Sequence, residues 1–230
     1  MDFAKFEKKV GVTFRDKGLL ETAFTHRSYI NENRGGKKRE HNERLEFLGD
    51  AVLELITTEY LFKKYPDKPE GDLTSYRAAL VNANTLSEIA VSLGMNDYLM
   101  LSHGEAKDTG RARHYILANA IEALIGALYL DQGLTGAAGF VDRFITPLID
   151  GIVEKGSWID MKSRFQEKAQ EITGVTPSYK VLKETGPDHD KHFTVGVYLK
   201  NEQVAEGEGK SKQDAEQKAA ENGLRERHWN

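Results

Sequence analysis

Apolar residues in the first two thirds of the chain recur at helical spacing. Phe6, Val10, Phe14, Leu19, Leu20, Ala23 and Phe24 fit two helices with a turn between them. Asn42 stands where an N-cap would, ahead of a helix from Glu43 towards Phe62 that carries Leu45, Leu48, Val52, Leu53 and Ile56 on one face. Pro66, Pro69 and Gly71 break that pattern, and Gly71 or Asp72 is expected to open the next helix, LTSYRAALVN. Asn84 is expected to cap TLSEIAVSL, which Gly94 stops. HGEAKDTGRARH is polar and punctuated by glycine, so it reads as a loop. YILANAIEALIGALYLDQG is apolar on nearly every face and predicts a buried central helix.

The pattern changes near Gly156. MKSRFQEKAQEIT predicts a helix and SYKVLKETG a strand. In HFTVGVYLKN, Phe193, Val195, Val197 and Leu199 alternate with Thr194, Gly196, Tyr198 and Lys200. NEQVAEGEG reads as a third strand, and the Ala-rich SKQDAEQKAAENGLRE as a helix capped by Ser211. Helix, three strands and helix make one small α+β domain. The expected boundaries are a helical domain over 1–150, a linker at about 151–158 and the small domain over 159–228.

Composition excludes several classes. At 39% hydrophobic and 30% charged residues the chain reads as globular. It has no cysteine, which removes disulfides and thiolate metal sites and suits a reducing compartment. No signal peptide and no run of roughly 20 apolar residues is evident, so a cytoplasmic protein without a membrane partner is expected. The net charge of −4 does not announce a nucleic acid, and from Asp160 onward 12 Lys and Arg face 13 Asp and Glu. Any binding to a polyanion must rest on local clusters.

The segment HNERLEFLGDAVLEL supplies candidate chemistry. On a helix Glu43, Glu46 and Asp50 share one face, where like charges repel unless a cation sits among them. A solvated acidic face is the bland alternative. Gly49 weighs against it, because a glycine inside a helix costs ~1 kcal/mol relative to alanine and points to close backbone packing. Glu122 weighs against it too, since a carboxylate in so apolar a helix needs a partner. Bringing Asn119 and Glu122 against Glu46 and Asp50 would assemble an all-oxygen site suited to Mg²⁺ or Mn²⁺. A metal there would generate a hydroxide nucleophile and polarise a phosphate, with a second ion at the leaving oxygen.

These segments resemble the ribonuclease III family. NERLEFLGDAVL is similar to its signature, THRSY at 25–29 to an upstream segment, and EGDLTSYRAALVN and ILANAIEALIGALYLD to two later ones. The resemblance implies an all-α endonuclease domain followed by an α-β-β-β-α double-stranded RNA-binding domain. It implies metal ligation by Glu46, Asp50 and Glu122, with Glu43 and Glu70 as acidic positions in the cleft. It implies a homodimer in which Phe47 docks into the partner subunit. The expected products are 5′-phosphate and 3′-hydroxyl ends, from ribosomal and messenger transcripts. Asn119 stands where the family usually has aspartate, which removes one negative charge. The alternative is therefore a double-stranded RNA-binding protein whose nuclease is weakened or inactive.

KSRFQEKAQ, SYKV, GPDHDKHFTVGVYL and GEGKSKQDAEQKAA resemble the successive motifs of a double-stranded RNA-binding domain. Such a module reads the shape of the duplex across ~16 bp. Ser163, Gln166 and Glu167 match positions that touch one minor groove, and His189 would reach the next. Lys210 and Lys212, on either side of Ser211, match phosphate contacts at a helix start. Gln213 stands where a further lysine is common, so a slightly shallower salt dependence is expected.

Overall fold

A computed structural model describes residues 2–32, 40–107, 110–156, 158–187 and 191–229. The chain divides into two compact units between Trp158 and Ile159. The first is helical throughout: α1 (Phe3–Val10), α2 (Lys17–Ala23), α3 (Arg27–Glu32), α4 (Glu43–Lys64), α5 (Glu70–Val81), α6 (Ala83–Ser92), α7 (His103–Lys107), α8 (Arg111–Phe144) and α9 (Ile149–Glu154), with short 3₁₀ turns at Met95–Tyr98 and Thr146–Leu148. Its only bridge of strand type among the described residues joins Thr25 to Met100.

Helix α8 is the axis of this unit. Ala120, Ile121, Ala123, Ile125, Ala127 and Leu128 are fully buried, with Leu53, Leu61, Leu80, Leu86 and Phe140 around them. Alanines at every turn let neighbouring helices approach closely. The helix runs beyond the expected stop, because the chain bends at Gly133 (φ 73°, ψ −171°) and resumes as a second helical stretch. The segment expected as a linker falls within the first unit. It includes the end of α9, and Trp158 packs edge to face on buried Tyr76 with ring centroids 4.7 Å apart.

Several helix starts differ from expectation. Asn42 precedes α4 but does not cap it: its side chain is buried and donates to the Ala23 carbonyl, tying α4 to the end of α2. Asn82, not Asn84, caps α6, its Oδ1 accepting from Thr85 N at 2.9 Å. Helix α5 opens at Glu70 after Pro69, one residue or more before the expected start. Part of the polar stretch after Ser102 is helical as α7, anchored where His103 N donates to Glu32 Oε2 at 2.9 Å.

The second unit is α10 (Met161–Thr173), β1 (Ser178–Thr185), β2 (His192–Leu199), β3 (Glu202–Gly209) and α11 (Lys212–Glu226). The strands form an antiparallel sheet in the order β1-β2-β3, with Val195 opposite both Val181 and Gly207. The alternation in β2 does what it predicts: Val195, Val197 and Leu199 are buried, and a core forms from Val197 and Leu199 with Phe165, Ala169, Ala219, Ala220 and Leu224. A Cβ at Gly207 would overlap the backbone of α11 at Ala219, so the glycine lets this Ala-rich helix lie directly on the sheet.

Candidate active site and RNA-binding face

The candidate site forms where α4 meets α8. A Cβ on Gly49 would overlap the Glu122 carbonyl, and one on Gly126 would overlap the Leu45 carbonyl. The two glycines therefore set the backbone approach that the sequence implied. At that contact Glu46 and Asp50 of α4 face Asn119 and Glu122 of α8. The Asn119 side chain lies beside the Glu46 carboxylate and favours its ionised form. Glu122 is half-buried, and burial, then the charges of Asp50 and Glu46, push its pKa up to about 7. Glu46 is also held above the usual carboxylate range, by burial first and then by Glu43; the neighbouring Asn119 amide acts in the opposite sense.

The four residues thus share one site but do not form a closed cage. Among the described residues no three His, Asp or Glu side chains are drawn together closely enough to hold an ion. Their chemistry nonetheless fits a hard divalent cation. The donors are all oxygen, and a cation would offset both the burial and the carboxylate repulsion that raise Glu122.

The remaining acidic positions lie at the edges. Glu43 is exposed at the start of α4, 3.4 Å from Arg27 Nη1 and 3.7 Å from His41 Nδ1. Glu70 is exposed at the start of α5 and accepts from Thr74 Oγ1 at 2.9 Å; it is not among the charges that act on Glu46 or Glu122. Phe47 points away from the core, 82% exposed, with Leu55 and Phe62 also exposed on α4.

Sequence reading did not anticipate how THRSY is held. Thr25 O accepts from Asn42 N at 2.9 Å, and His26 N donates to Met100 O at 3.1 Å. Ser28 Oγ accepts from Ser102 N at 3.1 Å and lies 2.8 Å from His26 Nδ1. These bonds join segments far apart in sequence, and they fix Arg27 beside Glu43.

In the second unit Ser163, Gln166 and Glu167 are exposed on α10, on the side away from buried Phe165 and Ala169. Asp160 caps this helix, and Ser163 Oγ donates to its Oδ2 at 3.1 Å. Ser211 caps α11 as expected, its Oγ accepting from Asp214 N at 3.1 Å. Lys210 and Lys212 are exposed beside it, with Lys212 Nζ 5.7 Å from the centre of the Phe193 ring. His189 lies outside the described residues.

Comparison with known proteins places both units. Residues 16–149 match the family model described as Ribonuclease-III-like, and residues 161–227 match the Double-stranded RNA binding motif. The chain is 45% identical to Ribonuclease 3 of Pelotomaculum thermopropionicum, over 95% of this chain and 90% of that protein. It is 46% identical to Ribonuclease 3 of Bacillus cereus, over 97% and 90%. Its first unit resembles the crystal structure of the nuclease domain of ribonuclease III from Campylobacter jejuni, with a TM-score of 0.57 and 42% identity, covering 64% of this chain and 95% of that one. A helical nuclease unit followed by a double-stranded RNA-binding unit defines a double-strand-specific endoribonuclease. The chain belongs to the ribonuclease III family.

Proposed function

We propose that this endoribonuclease cleaves duplex RNA at the α4–α8 contact by metal-assisted hydrolysis, leaving 5′-phosphate and 3′-hydroxyl ends. The observation that carries the reading is Glu122: a half-buried carboxylate raised to about 7, facing two further carboxylates across the contact made possible by Gly49 and Gly126. Glu46, Asp50, Glu122 and the Asn119 amide oxygen would hold Mg²⁺, with Mn²⁺ as a substitute. A metal held there would supply Lewis acidity, to activate water and polarise the scissile phosphate.

The chain's own groups divide the remaining work. Asn119, beside the Glu46 carboxylate, leaves the site with one charge fewer than an aspartate would. Glu122, near half-ionised at neutral pH, releases its proton as the site fills. Glu43 and Glu70 assist from the edges of the cleft. Ser163, Gln166, Glu167, Lys210, Ser211 and Lys212 hold the duplex through its backbone and 2′-hydroxyls, with His189 as a further contact.

The assembly in this reading is a homodimer, seated on the exposed Phe47, Leu55 and Phe62 of α4. The likeness to a solved nuclease domain whose title refers to a region involved in dimer formation supports it. Processing of ribosomal and messenger transcripts in the cytoplasm completes the proposal. The test is a Mg²⁺ titration on a perfect RNA duplex, with Mn²⁺ in parallel and the product ends mapped. Metal-dependent cuts ending in 5′-phosphate support the mechanism, and 2′,3′-cyclic phosphate ends would overturn it.

A further inference from the structure

A duplex whose phosphates must reach Glu46, Asp50 and Glu122 meets a strongly repulsive surface. The charges acting on Glu46 and Glu122 are all carboxylates, with no lysine or arginine among them. Among the described residues, Arg27 is a cation paired with Glu43 at the edge of this acidic face. It opens α3, its guanidinium lies 3.4 Å from Glu43 through Nη1, and its side chain is 67% exposed. A contact so long and so open engages only part of the guanidinium's donor capacity.

The chain on both sides of Arg27 is tied by hydrogen bonds. Thr25, His26 and Ser28 are bonded to Asn42, Met100 and Ser102, so the side chain starts from a fixed point beside the first turn of α4. A plain helix staple needs no such exposure, and a mobile surface charge needs no such anchoring.

We infer that Arg27 is a substrate-positioning residue: its guanidinium bridges Glu43 and a phosphate of the bound RNA strand, holding that strand against the acidic face. Arginine suits the task because its planar fork can engage a carboxylate on one edge and a phosphate on another. Glu43 then aims the guanidinium without itself touching RNA. The inference rests on the α4–α8 contact being the cleavage site.

The test is a cycle of Arg27→Gln, Glu43→Gln and the double variant in the full-length protein. RNA affinity is measured without divalent ions across a range of salt, and KM and kcat with Mg²⁺. The expected result is an approximately tenfold rise in KM for Arg27→Gln, a larger change than in kcat, with the log–log salt slope shallower by ~0.9 for one lost phosphate contact. The loss persists when Arg27→Gln is added to Glu43→Gln, and Arg27→Lys recovers part of it. An Arg27→Gln change that costs nothing in the Glu43→Gln background, or leaves the salt slope unaltered, would overturn the inference and reduce the pair to a staple. Glu122→Ala run alongside separates the two levels. If it still cleaves, the site reading has failed; if it is inactive while Arg27→Gln behaves as the parent, only this inference has.

Discussion

Replacing Glu122 with glutamine keeps the shape of the side chain and removes the charge that Asp50 and Glu46 oppose. The pKa of Glu122 rises from 4.5 to about 7 on folding. Each unit is worth ~1.4 kcal/mol, so the ionised carboxylate costs the folded, metal-free protein up to ~3 kcal/mol. Solvent reaches this half-buried group and the charge is shared with its neighbours, which lowers the figure to about 1–2 kcal/mol. The sign follows from the raised pKa. Stability is greatest below pH 4.5, falls as pH climbs through about 7, and then levels off. Glu122→Gln should therefore be more stable than the parent at pH 8 in a chelator, by about 1–2 kcal/mol, and the gain should shrink towards pH 5. Denaturant melts at the two pH values measure this directly. Mg²⁺ at pH 8 should reverse the order, because the parent gains binding energy that the variant lacks. A variant that is less stable than the parent at pH 8 in chelator, or an offset that does not change with pH, would refute the argument.

Three further outcomes follow from the same structure. Gly126→Ala forces a Cβ into the Leu45 carbonyl, so thermal melts should show a loss of about 1–3 kcal/mol, and cleavage should fall because Glu122 is displaced from Glu46. Phe47→Ala removes a side chain that is 82% exposed and should leave chain stability within about 0.5 kcal/mol while weakening self-association in sedimentation; unchanged association would count against the proposed interface. Lys210→Ala with Lys212→Ala should weaken duplex RNA binding and flatten its salt dependence by up to ~0.9 per lost contact, without lowering kcat at saturating substrate.

Local signals carried most of the fold. The largely apolar character of residues 116–128 reflects burial around most of α8, with Tyr115, Tyr129 and Leu130 exposed at either end of the run, and the alternation in β2 matches the burial of Val195, Val197 and Leu199. Ser211 was legible as a cap because nothing distant competes for its hydroxyl. Asn42 was not, because its amide is drawn to a carbonyl 19 residues away. Asn84 was not the cap, because the preceding helix ends at Val81 and the next begins at Ala83, which puts Asn82 at the junction. Gly133 looked like a stop, yet the chain turns there and continues as helix.

For the candidate site, spacing put Glu43, Glu46 and Asp50 on one face of α4, and Gly49 signalled a close approach. The partner of that approach, Gly126, carried no such signal within its own apolar helix. The pairing of Arg27 with Glu43 spans 16 residues and two helices, so no periodicity could reveal it. His189 lies in the stretch that the structure does not describe, and its role stays with the family resemblance.

The most direct test of the account compares the parent with Glu122→Ala on an RNA duplex of a few tens of base pairs in Mg²⁺, measuring binding and cleavage together. The account predicts metal-dependent cleavage by the parent, none by the variant, and similar RNA affinity for both. Cleavage by Glu122→Ala at the parent's rate would contradict it.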